Sequence, residues 1–97
     1  MDFASPPPWG EARVARLRAL ADRIAAETPG LLWKIWTEDE AAGRAGGLYA
    51  FRSRAEAEAY LAMHAERVAA RGGTDIVARI WDVNAELSAL TRGPLGA

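Results

Sequence analysis

The order of hydrophobic patterns along this chain restricts its fold more than any other feature. Apolar residues recur every three or four positions from Glu11 and again after Ser53, which predicts two amphipathic helices. The first helix is expected to end at 28–30 and the second at 72–73, where proline and glycine interrupt the pattern. Apolar residues alternate over 31–37, 47–52 and 75–83, which predicts three strands. A last short helix is predicted over 85–91, with Asn84 as its cap.

The resulting order is helix, strand, strand, helix, strand. One further strand before the first helix would complete the βαββαβ order of a ferredoxin-like α+β domain with an antiparallel sheet. Only residues 1–4 are available for that strand, because three prolines follow at 6–8. Either this stub suffices, or residues upstream of it belong to the fold. We predict a single domain over 1–97 with a very short first strand.

Composition excludes several classes of function. The chain has 97 residues, 12 basic and 13 acidic side chains and a net charge of -1. This balance argues against nucleic acid as the main partner, because nucleic-acid binding depends on a clustered positive surface. Cysteine is absent and His64 is the only histidine, so we predict no metal site. No apolar run approaches the roughly 20 residues that cross a bilayer, and we expect a cytoplasmic protein without membrane contact.

Alternation also sorts the strand residues into two faces. The smaller and more aliphatic set suits the face that the helices cover, and it consists of Leu31, Trp33, Ile35, Leu48, Ala50, Ile76, Ala78 and Ile80. The opposite set is then Leu32, Lys34, Trp36, Tyr49, Phe51, Val77, Arg79 and Trp81. This second layer is too apolar for water and too cationic for a sealed core. We therefore predict a homodimer in which two sheets close into a barrel with a cavity between them.

Four short motifs carry a family resemblance. They are Trp33-Lys34-Ile35-Trp36-Thr37-Glu38, Ala45-Gly46-Gly47, Tyr60-Leu61-x-Met63-His64 and Asp82-Val83-Asn84. In these motifs the stretch over 29–94 resembles the YdhR-like mono-oxygenase family, a branch of the dimeric α+β barrel superfamily. The resemblance implies a homodimer and an oxygenase-like pocket. The N-terminus departs from the family pattern, which begins with a longer strand.

The resemblance also implies a type of chemistry, because relatives in the superfamily oxidise aromatic compounds with oxygen and without metal or flavin. We therefore expect a cofactor-independent mono-oxygenase for a small aromatic or polyketide-like substrate. Such a reaction needs an apolar pocket, a base and donors for the substrate anion. Three side chains are candidates for catalysis: His64, Lys34 and Tyr49. Four others are expected to bind the substrate: Trp36, Phe51, Arg79 and Trp81.

His64 is the natural candidate for the base, because a histidine ordinarily titrates near neutral pH. Each candidate also has a structural interpretation. On the apolar stripe of the second helix, a hydrogen-bonded structural histidine is the more common case. Trp36 and Trp81 are also typical dimer-interface anchors, and Lys34 and Arg79 can pair with carboxylates at the rim of the sheet. The alternative functions are a non-catalytic small-ligand-binding or stress-related dimer and a purely structural dimer.

Overall fold

The computed structural model of the chain describes residues 1–95. Its elements are β1 (Asp2–Ala4), α1 (Gly10–Glu27), β2 (Leu31–Asp39), β3 (Arg44–Phe51), α2 (Arg54–Ala70), β4 (Thr74–Val77) and α3 (Ala85–Leu90). The strands form an antiparallel four-stranded sheet in the order β2-β3-β1-β4. This arrangement confirms the predicted ferredoxin-like βαββαβ fold.

The three residues of β1 suffice as a central strand. β1 pairs with β3 on one side, through Asp2 opposite Gly46, and with β4 on the other, through Asp2 opposite Val77. Gly46 permits the close approach of β1, because a side chain at this position would collide with the backbone of residues 1 and 2. The Gly47 N–H donates to the Met1 carbonyl at 2.9 Å, which extends the pairing by one residue.

The predicted helix starts are confirmed where a cap was expected. At the start of α2 the Glu56 backbone N–H donates to Ser53 Oγ at 3.2 Å, and the Ser53 hydroxyl donates to the Glu56 carboxylate at 2.9 Å. At the start of α3 the Leu87 N–H donates to the Asn84 side-chain oxygen at 3.0 Å. No helix among residues 1–95 combines the length and the apolar character that a membrane crossing requires.

Two strand boundaries differ from the prediction. β3 begins at Arg44, three residues before the predicted start, because it pairs with β2 almost to the tight turn that joins them. β4 ends at Val77 instead of residue 83. Its neighbour β1 offers no partner beyond Asp2, so the alternating residues 78–83 lie outside the sheet.

The predicted assignment of strand faces is wrong for most of β2 and β3. The rings of Tyr49 and Phe51 pack against the Tyr60 ring of α2, at centroid distances of 5.2 Å for Tyr49 and 5.5 Å for Phe51. Lys34 lies opposite Tyr49 on the neighbouring strand and so shares its face. These side chains therefore face the helices. The opposite surface, called the outer face below, carries Ile35 and Leu48, which are 49% and 58% exposed.

An irregularity in the pairing of β2 with β3 explains part of this error. Leu31 pairs with Phe51 and Trp33 pairs with Ala50, so Leu32 has no partner and the alternation shifts at this bulge. Leu31 and Lys34 therefore share a face although their positions differ by an odd number. The remainder of the error lies in the choice of the aliphatic set for the helix side, because α2 offers Tyr60 and His64 as partners for aromatic rings.

Candidate functional site

A cavity of about 420 Å³ lies between the helices and the sheet. The segment before α1, α1 itself, β2, β3 and the C-terminal half of α2 all contribute to its wall. Most of the wall is apolar, and its larger members include Phe3, Pro8, Leu17, Trp36, Tyr49 and Val68. A cavity of this size and lining suits a small organic ligand. It lies on the helix side of the sheet within one chain, whereas the sequence pattern predicts a cavity between two sheets, on the opposite face.

Lys34 is the cationic side chain that β2 contributes to the cavity. Its Nζ atom lies 3.4 Å from the centroid of the Trp36 ring and 4.8 Å from that of Tyr49. Burial lowers the pKa of Lys34 to about 7, and the nearby charge of Arg67 contributes in the same direction. Among residues 1–95 no carboxylate lies within ion-pair distance of the Lys34 amine. The neutral amine is therefore well populated at neutral pH.

His64 is buried in α2, with 4% of its surface exposed. Its ring stacks on Tyr60 at 4.9 Å, and the Arg67 Nε–H donates to His64 Nδ1 at 3.0 Å. This hydrogen bond leaves the imidazole proton on Nε2. Burial, together with the nearby charges of Lys34 and Arg67, lowers the pKa of His64 to about 3. The expectation that His64 titrates near neutral pH is wrong, and Lys34 is the group that does so.

Two tyrosines complete the polar part of the wall and its support. Burial raises the pKa of Tyr49, which lines the cavity, and of Tyr60, which lies behind it. Both phenols are therefore neutral hydrogen-bond donors at neutral pH. The Tyr60 hydroxyl accepts a hydrogen bond from Arg67 Nη2 at 3.3 Å, so one arginine holds both His64 and Tyr60 in place.

The structure brings four of the seven predicted site residues together. Lys34, Trp36, Tyr49 and His64 line the cavity. The other three lie elsewhere. Phe51 packs on Tyr60 outside the cavity wall. Arg79 and Trp81 follow the end of β4, where the Arg79 guanidinium lies 5.9 Å from the Trp81 ring, and Trp81 is 72% exposed.

Five arginines line the cavity, and none of them is predicted as a site residue from the sequence. Two of them, Arg67 and Arg13, make side-chain hydrogen bonds at the cavity wall. Arg67 follows His64 by three residues, so helical spacing already places both on one side of α2. Arg13 gave no such signal. Its Nε lies 3.1 Å from the Glu38 carboxylate, and its Nη1 donates to Ser5 Oγ at 3.0 Å and to the Pro8 carbonyl at 3.3 Å. Arg13 thereby fastens α1 to the end of β2 and to the proline segment along the cavity wall.

Residues 1–95 contain no group of three histidine or acidic side chains placed to hold a metal ion. No curated protein matches the chain. The model of a protein family described as "Putative mono-oxygenase ydhR" matches residues 1–94. The match includes the short first strand as well as the motifs in which the resemblance was seen. Because it spans nearly the whole length, the chain belongs to the ydhR mono-oxygenase family.

Proposed function

We propose that this chain oxidises a small aromatic or polyketide-like phenol or anthrone in the cavity, with molecular oxygen and without metal or flavin. The observation that supports this function is the position of the Lys34 amine on the wall of an aromatic-lined cavity, 3.4 Å from the centroid of the Trp36 ring. Burial there lowers the pKa of Lys34 to about 7. A neutral amine accepts the proton of an acidic hydroxyl or of an activated methylene group. The ammonium that forms then stays beside the substrate anion and stabilises it.

The proposed reaction balances without an external reductant. For an anthrone, Lys34 first takes one proton from the ring methylene, which leaves a delocalised anion. This anion transfers an electron to oxygen, and the two radicals combine to form a carbon–oxygen bond. The peroxide anion takes the proton back from Lys34, and loss of water from the resulting hydroperoxide gives the ketone of a quinone. One oxygen atom remains in the product, the other leaves as water, and the methylene carbon supplies all four electrons.

The other cavity residues have supporting roles in this proposal. Trp36 offers a flat face on which an aromatic substrate stacks, next to the Lys34 amine. The neutral Tyr49 hydroxyl and the Nε2–H of His64 are donors for substrate oxygens. Because the pKa of His64 is lowered to about 3, we assign it a hydrogen-bonding role and assign proton removal to Lys34.

We also propose a homodimer that forms through the outer face of the sheet. This face carries Ile35 of β2, Leu48 of β3 and Val77 of β4, which belong to the same sheet. Each of the three side chains is about half exposed. Contiguous apolar surface of this kind is typical of an interface. The cavity lies on the other side of the sheet, so each chain of the dimer would hold a complete cavity. Sedimentation should show a dimer at micromolar concentration that Leu48→Arg converts to a monomer; a monomeric wild-type chain would contradict the proposal.

Oxygen uptake tests the catalytic function directly. Protein freed of metal and flavin should consume oxygen with anthrone or a hydroquinone as substrate. Lys34→Met should lower kcat/KM by about 100-fold or more, because it removes the base but keeps an apolar side chain of similar length. Arg52→Met, which removes an exposed charge away from the cavity wall, should leave the rate unchanged.

Two results would count against this function. Absence of oxygen uptake with every acidic phenol and anthrone tested would contradict it, as would an unchanged rate in Lys34→Met. A small molecule that co-purifies with the protein and is released chemically unchanged would favour the alternative, a dimer that binds a small ligand in the same cavity without catalysis. Native mass spectrometry of freshly isolated protein detects such a ligand.

A further inference from the structure

The cavity wall carries more basic side chains than nearby acidic side chains can neutralise. Six basic side chains line it but only two acidic ones, although the chain as a whole has a net charge of -1. One of the two, Glu38, is already paired with Arg13. The excess of positive charge is therefore concentrated around the space that a ligand would occupy.

Arg67 and Arg71 form the most exceptional part of this wall. They are separated by one turn at the C-terminal end of α2, and both line the cavity. Arg67 donates only to neutral groups, His64 Nδ1 and the Tyr60 hydroxyl. Within residues 1–95 neither arginine has a carboxylate within ion-pair distance. Both charges act on the buried His64 and lower its pKa.

This arrangement is unfavourable for the empty cavity. Like charges one turn apart on a helix repel each other, and Arg67, which is half-buried without an anionic partner, has lost part of its hydration, whereas Arg71 is exposed. An anion between Arg67 and Arg71 would relieve both effects through charge-assisted hydrogen bonds. The end of α2 beside them is its C-terminus, which carries partial negative charge. That end suits a single negative charge better than a dianionic phosphate.

We propose that the ligand of this cavity is an aromatic carboxylate, with its carboxylate on Arg67 and Arg71 and its ring on Trp36. This inference rests on the proposed function, since it specifies the substrate of the same site. The carboxylate end lies toward α2, and the ring extends toward β2. The reacting hydroxyl or methylene group of the substrate is then directed at the Lys34 amine.

Binding of two matched probes tests the inference. The probes are 2-naphthoate and the neutral 2-naphthamide, which have nearly the same shape and no hydroxyl group to be oxidised. Titration of the full chain at pH 7, followed by calorimetry, should show that the naphthoate binds about tenfold more tightly or better. Arg71→Gln should remove most of this preference, and Arg67→Lys, which keeps the charge, should retain part of it. Arg52→Gln, away from the cavity, should leave the preference unchanged.

Several results would overturn the inference. Equal affinity for the two probes would do so, as would absence of binding by both or an equal loss of preference in Arg52→Gln. Tighter binding of 2-naphthyl phosphate than of 2-naphthoate would overturn the choice of a carboxylate. The test is independent of catalysis. If neutral anthrone is oxidised while the two probes bind equally, the inference fails and the proposed function stands. If naphthoate is preferred but oxygen is never consumed, the ligand class stands and the oxygenase function fails.

Discussion

Replacing Lys34 by methionine should stabilise the folded chain at neutral pH, although the proposed reaction depends on Lys34. Burial lowers its pKa from 10.5 in the unfolded chain to about 7 in the folded one. Between these two values the unfolded chain binds more protons than the folded chain, so protonation favours unfolding. The destabilisation is complete below pH 7, decreases as the pH rises from 7, and disappears above pH 10.5. Methionine has no charge to bury and avoids this cost at every pH.

The size of the effect follows from the same two pKa values. The full shift corresponds to about 5 kcal/mol below pH 7 and to about 2 kcal/mol at pH 9. Part of the Lys34 side chain reaches solvent, which screens its charge, so we expect about half of these amounts. Lys34→Met should therefore raise the free energy of unfolding by about 2 kcal/mol at pH 6 and by about 1 kcal/mol at pH 9.

Urea unfolding followed by circular dichroism, at several pH values from 6 to 9, measures this difference. Tyrosine ionisation affects the wild-type and variant chains alike and cancels in the comparison. Arg52→Met is the matched control, and its difference from wild type should not vary with pH. Because Lys34 is the only lysine, the NMR signal of its ε-methylene group also gives the pKa directly. A stability difference that is constant with pH, or a methylene signal that titrates near 10.5, would refute the argument from burial.

Three other substitutions, one of them with a matched control, test separate parts of the structure. Arg67→Gln should raise the pKa of His64 toward its ordinary value, which the NMR signal of this single histidine reports; an unchanged pKa would contradict the described contact. Gly46→Ala should lower the free energy of unfolding, measured by urea unfolding, by more than about 3 kcal/mol, because the added carbon collides with β1. Gly43→Ala meets no neighbour and should cost only about 1 kcal/mol for its positive φ, so equal losses would exclude the collision. Ser53→Ala removes the α2 cap and should lower the free energy of unfolding, measured by thermal unfolding, by about 1 kcal/mol. An unchanged free energy of unfolding would contradict a capping role.

Local patterns in the sequence predict most of the elements but not the sheet faces. The helix periodicity, the caps at Ser53 and Asn84 and the order of strands depend on neighbouring residues, and all of them appear as predicted. The side of each strand depends on the partner strand as well. The bulge at Leu32 reverses the alternation, and nothing near it in the sequence marks the change. The length of β4 is also set by a distant partner, because it ends where β1 can no longer pair with it.

The candidate site was predictable by residue type but not by location. The sequence identifies the aromatic residues, the single lysine and the single histidine as chemically distinctive. Their pKa values depend on which face is buried, so placing Lys34 on the wrong face of the sheet also assigned the titrating role to the wrong residue. Arg13 belongs to the site only because α1 crosses the cavity and brings it to Glu38. Such contacts join distant segments and leave no trace in local spacing.

The cavity occupies the space in which a domain of this size would normally place its core. Among residues 1–95 no large side chain is completely buried, and α1 inserts only Leu20 and Ile24 into the buried part of the fold. Polar contacts of Arg13 hold α1 where apolar packing would be expected. A domain of fewer than 100 residues has little apolar burial to lose. We therefore expect the outer face, with Ile35 and Leu48, to supply the missing burial in a dimer, so that the space for a ligand and the need for a second copy have the same physical origin.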